Sequence, residues 1–273
     1  MIIDFHTHAF PEKIAARTIE VLIANTARIS DYPMKNCTDG TAHGLLEAEH
    51  RAGVDLAVVL PIVTNQKQTE TVNRVAKETN EADCGLYSFG SVHPADPDAL
   101  SWIDRLAEDG FKGIKLHPEF QNIYADSDEM TAVCRLAAKH GMTVTLHAGR
   151  DIGYPPPVKA KPEALLRLID RVPDLKLVAA HLGGWMMWDE VAAKLVGTPI
   201  YFDTAFIADF IDTARVRDII NAHGAEKVLF GSDAPWEDPA KTLAFLSSLD
   251  IDTEDLKKIC GTNAAGLLGI KND

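Results

Sequence analysis

Six of the chain's ten histidines (His6, His8, His93, His117, His147 and His181) close short apolar segments. The other four, His43, His50, His140 and His223, lie in helix-patterned stretches and read as structural or solvent-facing. His6 and His8 are two apart, so on an extended strand both imidazoles point to the same face. Neutral imidazole is a good ligand for zinc and similar divalent ions. His147 ends the run VTVTLHAG, His181 ends KLVAAHLGG, and Asp233 follows LFGS. A carboxylate there can serve as a metal ligand, as a base, or as both at different steps. A lone strand-end histidine usually reads as a satisfied polar core residue. Five metal-competent groups on four strand ends point instead to a divalent-ion site.

The elements that must carry these groups follow from patterning. Eight segments, 2–8, 54–61, 86–93, 111–117, 142–147, 176–181, 199–204 and 227–232, are apolar or β-branched with little alternation. That is the pattern of strands buried on both faces in a parallel sheet. Helix-like segments separate them at 12–29, 42–52, 66–82, 97–107, 128–140, 162–172, 189–196, 212–223 and 239–249. Several open on proline or an Asp, Ser or Thr cap. Ala138-Lys139-His140-Gly141 and Asn221-Ala222-His223-Gly224 read as C-terminal stops. Eight such repeats predict a single α/β domain over 1–273, a (β/α)8 TIM barrel with extra C-terminal helices between 252 and 268. In that fold active sites assemble at the C-terminal ends of strands, where the six histidines fall. The irregular stretches 30–41 and 149–161 are candidate substrate loops. Gly149, Gly183 and Gly231 are expected to let backbone approach ligand or substrate closely.

A chain of 273 residues with 46% hydrophobic content has material for one large core. Its formal charge of −13 argues against nonspecific binding to nucleic acid or anionic lipid. It leaves room for an anionic substrate, because a metal and a few local cations can reverse the field inside one cleft. The four cysteines (Cys37, Cys84, Cys134 and Cys260) form no CxxC pair and read as free thiols of a reducing compartment. The start MIIDFHTH lacks a basic leader, and no run approaches the ~18 apolar residues of a membrane span. The expectation is a cytoplasmic protein with a small-molecule substrate and neither a nucleic-acid nor a membrane partner. Homodimers are common among barrels of this kind.

The segments DFHTH, GIKLHP, LHAG, AHLGG and GSDAPW, in that order from Ile3 to about Leu268, give the chain a resemblance. It resembles the amidohydrolase superfamily. More narrowly, it resembles the branch that contains aminocarboxymuconate-semialdehyde decarboxylase, resorcylate-type decarboxylases and small lactonases. The resemblance implies metal ligands at His6, His8, His147 and Asp233. It also implies that His181 contacts substrate or attacking water, and that one divalent ion is bound, zinc most often and manganese in some members. In binuclear members of the superfamily a fourth-strand lysine is carboxylated; here that would be Lys115, with His147 and His181 on the second ion. The alternative, preferred because the branch resembled is mainly mononuclear, keeps Lys115 as an ammonium that orients a substrate carboxylate or carbonyl.

Lys115 and His117 alternate on the fourth strand, so both can reach the interior and touch substrate. His93-Pro94 echoes His117-Pro118 and is assigned a substrate-facing or structural role. Arg150, just past His147, is the best-placed cation for an anionic substrate, since guanidinium grips a carboxylate bidentately; a surface ion pair is the other reading. Tyr154, Trp185 and Trp236 follow strands five, six and eight and either wall the pocket or pack under its loops. The expected chemistry is hydrolysis of an amide, lactone or related carbonyl compound through a metal-activated water. Asp233 would take the proton and His181 would stabilise the oxyanion. The alternative is metal-dependent nonoxidative decarboxylation of an unsaturated or aromatic carboxylic acid; the chain's short length favours hydrolysis. A non-catalytic metal-binding barrel would have lost the base, and Asp233 and His181 are both present.

Overall fold

A computed structural model describes residues 1–270. Strand β1 (Ile3–Thr7) pairs in parallel with β2 (Leu56–Val59), and β2 pairs with β3 (Leu86–Ser88). The third barrel strand breaks at Phe89 and resumes as β4 (Gly90–Ser91). The parallel order then runs through β5 (Gly113–Leu116), β6 (Thr143–Leu146), β7 (Lys176–Ala179), β8 (Tyr201–Asp203) and β9 (Val228–Leu229). The ring closes where Phe5 N–H donates to Phe230 O at 2.8 Å, and Thr7 bridges Ala234 in parallel. The eight strands expected are therefore one (β/α)8 barrel, with the third made of two pieces. The ladders stop short of the expected ends. His117, His147 and His181 each stand one or two residues past the last paired position, where the backbone turns outward.

The helices are α1 (Glu12–Thr26), α2 (Ala42–Ala52), α3 (Thr69–Glu81), α4 (Ala99–Glu108), α5 (Pro118–Gln121) and α6 (Asp128–Lys139). After them come α7 (Pro162–Arg171), α8 (Trp188–Lys194), α9 (Thr213–His223), α10 (Pro239–Ser247), α11 (Thr253–Lys257) and α12 (Asn263–Leu268). Their starts follow capping chemistry: Thr41, Ser127, Asp212, Asp238 and Asp252 each accept a backbone N–H of the first turn. Residues 66–68 form a separate 3-10 turn before α3, where a single helix was expected. The short α5 was not expected. Its Gln121 donates to Val63 O and Val92 O at 2.9 and 2.8 Å and accepts from His117 N–H at 3.0 Å. One amide thus ties together the loops that follow three barrel strands.

Inside the barrel, Ile3, Phe5, Val58, Leu60, Phe89, Val178 and Leu229 form one cluster. Phe5 meets Phe89 edge-on, with ring centroids 5.6 Å apart at 89°. Ala264, Ala265 and Leu268 of α12 complete this cluster, so the expected C-terminal helices close the bottom of the barrel. Asn263 pins them there, its amide donating to Ala225 O and Val228 O at 2.7 Å each. A larger apolar shell lies between strands and helices. Among the described residues no helix is long and apolar enough to cross a membrane. Replacing Asn263 with Ala strands two carbonyls at the barrel floor and should destabilise the protein by about 1–3 kcal/mol. Urea denaturation, read as a lower midpoint at unchanged slope, checks this.

Candidate metal centre and active site

β1 delivers His6 and His8 to the barrel mouth, and a turn after β9 delivers Asp233. The donor atoms of these three residues lie within 4.8 Å of one another. His8 Nε2 is 3.1 Å and His6 Nε2 3.4 Å from Asp233 Oδ1. The rear nitrogens are already committed. His6 Nδ1 bonds Asp203 Oδ2 at 2.8 Å, and His8 Nδ1 donates to Leu60 O at 2.9 Å. Each ring therefore turns its Nε2 toward Asp233, and second partners of this kind orient ligating histidines.

His147 stands apart from that trio. Its Nδ1 is 3.1 Å from His181 Nε2, its Nε2 is 3.1 Å from Arg150 O, and it groups with His117 and Asp151. Of the four ligand positions implied by the resemblance, the structure brings three together and sets His147 behind His181. The hydrogen-bond partners are informative here. His181 Nδ1 faces Ala205 O at 2.8 Å, so it carries the proton there, and His147 Nε2 carries one toward Arg150 O. The two nitrogens that face each other are then both lone pairs. Such a contact is relieved by a proton or a cation between them. Burial holds the His147 pKa well below the usual imidazole range, with the charges of His181 and Lys115 adding to the effect. The donor chemistry of His6, His8, Asp233, His147 and His181 thus fits a divalent ion.

Lys115 is fully buried on β5, and its Nζ lies 3.1 Å from His6 Nε2. Burial pulls its pKa down to about 8, against the attraction of Asp203 and Asp233. Burial also depresses His6, and the Lys115 charge adds to it. Burial pushes Asp233 up, but the His8 hydrogen bond and the neighbouring imidazoles outweigh it and hold the carboxyl below its ordinary value. Asp233 therefore stays an anion, as a ligand must.

Three carboxylates were missed in the sequence. Asp203 is fully buried and accepts from His6 Nδ1 at 2.8 Å, His181 N–H at 2.8 Å and Ala205 N–H at 3.1 Å. Asp4 Oδ1 accepts from His6 N–H and Ser232 N–H, both at 3.0 Å, joining β1 to the segment that carries Asp233. Asp151 Oδ2 lies 3.4 Å from His117 Nε2 and 3.8 Å from His147 Nε2. Burial pushes Asp151 up to about 7, against the hydrogen bond from Gly153 N–H. The available signal for Asp203 was its place at the end of the seventh strand segment, in YFDTA.

The remaining expected residues surround a cavity of about 920 Å³ whose lining includes Lys115, His117, Arg150, Tyr154, Trp185 and Trp236. His117 stacks between Phe120 and His147, at centroid distances of 4.0 and 4.2 Å. Arg150 lies at the rim and makes no ion pair among the described residues. Trp185 donates to Phe206 O at 3.2 Å and packs on Phe210, so it both walls the pocket and anchors a loop. His93 is not on the cavity wall; its Nδ1 accepts from Ala95 N–H at 3.2 Å in a turn. The glycines allow close approach of neighbouring elements. A Cβ on Gly231 would stand 2.8 Å from His6 Cβ, and one on Gly149 would collide with the backbone at Trp185. His181 and Asp233 themselves hold left-handed backbone, with φ of 59° and 70°.

A buried pocket that carries a lysine and donors able to hold a metal, at the C-terminal end of a (β/α)8 barrel, lies where active sites of that fold assemble. The amidohydrolase family model matches residues 3–270, and the chain belongs to that family; it is an enzyme of the amidohydrolase superfamily. No curated protein matches it in sequence. Among solved structures, it is similar to an uncharacterised TIM-barrel protein from Bordetella bronchiseptica (18% identity, TM-score 0.78, 98% of both chains). It is similar to 5-carboxyvanillate decarboxylase from Sphingomonas paucimobilis (18%, 0.74, 99% of both chains). A third is 5-carboxyvanillate decarboxylase from Novosphingobium aromaticivorans, complexed with manganese and 4-hydroxy-3-methoxy-5-nitrobenzoic acid (17%, 0.75, 99% of this chain and 96% of that one). At these identities the likeness establishes the fold.

Two outcomes follow from the geometry. Asp203→Asn breaks the carboxylate behind His6 and should weaken manganese or zinc binding about 10–100-fold in a calorimetric titration. Lys115→Met should stabilise the metal-free protein by up to about 3 kcal/mol at pH 7, since the ammonium is buried at a cost. The unfolded lysine keeps its proton to 10.5 and the folded one releases it at about 8. Wild-type stability should therefore gain on the variant as pH rises through that window, while the full penalty persists below it. Denaturation at pH 7 and pH 10 measures both.

Proposed function

We propose that the chain is a divalent-metal-dependent nonoxidative decarboxylase of an aromatic or unsaturated carboxylic acid. The observation that carries this reading is Lys115, a buried cation set 3.1 Å from His6 Nε2 and attracted by Asp203 and Asp233. A buried ammonium at the pocket floor suits a substrate that arrives as a carboxylate, and a neutral amide or lactone has no charge to offset it. The manganese and the nitrobenzoic acid named with one similar structure support the same reading. Alignment over 99% of both chains with a decarboxylase removes the length argument for hydrolysis.

A divalent ion held by His6, His8 and Asp233 would anchor the substrate's oxygens and withdraw electron density from the ring or alkene. Lys115 binds the carboxylate and orients its C–C bond toward the apolar cavity. Breaking that bond releases CO2 and leaves its electron pair on carbon, where one proton must be added. The His147–His181 pair, with facing nitrogens 3.1 Å apart, is placed to hold that proton and deliver it. Asp233, kept ionised by His8 and the neighbouring imidazoles, remains a ligand and balances charge.

The test offers manganese- or zinc-loaded protein a panel of hydroxybenzoic and muconate-type acids alongside lactones and amides. One CO2 per product, with one solvent deuterium on the former carboxyl carbon in D2O, is expected. His181→Asn should lower kcat about 10²–10⁴-fold, and Lys115→Met should act mainly by raising KM. Hydrolysis of a lactone or amide with no CO2 from any acid would overturn the proposal and restore the hydrolytic alternative.

A further inference from the structure

Lys115 and the imidazole and carboxylate groups around it occupy only the floor of the cavity. About 150 Å³ is enough to enclose benzene, so about 920 Å³ leaves several-fold more room than one ring fills. The additional space lies between two helix faces. Ile14, Thr18 and Leu22 form one stripe of α1, and Val72, Val75 and Thr79 form one stripe of α3. Spacings of three and four residues put each set on a single side of its helix. The stripes are about 10–12 Å long at 1.5 Å per residue.

The two stripes are charge-free, although both helices are rich in charge. Lys13, Arg17 and Glu20 lie on the far side of α1, and Arg74, Lys77 and Glu78 lie away from the groove on α3. Arg74 and Lys77 are spent on ion pairs with Glu78 and Asp109. Ile14 is 51% exposed, and it lines the same continuous cavity as His6 and Asp233. A channel with two uncharged stripes, and with Glu12 as the one charged α1 side chain on its wall, opens from the floor that carries Lys115 and accepts an amphipathic molecule with its charged end at that floor.

We infer that the substrate is a carboxylic acid carrying an extended apolar substituent, an alkyl chain or a second ring, which lies between α1 and α3. This rests on the reading of the floor as a carboxylate site. The substituent does no chemistry; its burial supplies binding energy and positions the scissile carboxylate over the floor.

Calorimetric titration of manganese-loaded protein with benzoate and a series of 4-alkylbenzoates, methyl to octyl, tests the inference. Full burial is worth about four-fold in Kd per methylene, so Kd should fall steadily along the series until the groove is filled. Val75→Glu and, as an independent variant, Thr79→Glu should each flatten that slope. A flat series in the wild type, or a slope unchanged in both variants, overturns the inference. The outcome separates from the proposed activity. Rising affinity with no CO2 from any acid removes the decarboxylase reading and leaves the groove assignment standing. CO2 release with a flat series removes the groove alone, and no binding of any acid, benzoate included, removes both.

Discussion

A carboxylate taken out of water is costly unless its lone pairs are filled, and Asp203 fills them with groups the active site needs held. It receives the imidazole of His6 and the backbone N–H groups of His181 and Ala205. One side chain on β8 thereby fixes the tautomer and tilt of His6 on β1 and the left-handed backbone of the histidine after β7. Without it His6 could present either nitrogen, and the left-handed turn at His181 would lose the hydrogen bond that sustains it.

Asp4 makes the complementary connection. Its Oδ1 joins His6 N–H to Ser232 N–H, across the seam where the first and last barrel strands meet. Burial pushes Asp4 up to about 7, which shows how far the fold goes in spending ionisable groups on positioning. Gly231 serves the same seam, since only a residue without Cβ lets His6 pass so close. The first and last strands are over two hundred residues apart, yet together they hold the three donors that converge. The site and the closure of the barrel therefore depend on one another.

The floor of the barrel and its mouth divide the work of stability and function. α12 and the phenylalanines below supply apolar burial with no titratable group among them. Above, buried imidazoles, a lysine and several carboxylates crowd one another, and the lysine and most of the carboxylates and imidazoles are shifted toward neutrality by burial. Such an assembly costs stability, and the apolar base offsets it. α1 belongs to the mouth in this sense: its groove face is left unpacked while its neighbouring stripe, Ala15 and Ile19, is buried.

Much of this was legible in the chain. Eight apolar runs, capped helices and strand-end histidines are local signals, because β-branched burial, capping and side-chain alternation all act within a few residues. They determined the barrel, the number of repeats, the mouth as the chemical end, and the attention due to His6, His8 and Asp233. What tertiary structure alone decided were the relations between distant side chains. These include Asp203 behind His6, Asp151 beside His117, His147 facing His181 rather than joining the trio, and Lys115 against His6 Nε2. The break at Phe89, the short α5 and the groove between α1 and α3 belong to the same class. A hydrogen bond or a cavity depends on where two segments lie after the sheet has twisted and closed. That placement comes from the packing of the whole barrel, and no local run of residues encodes it.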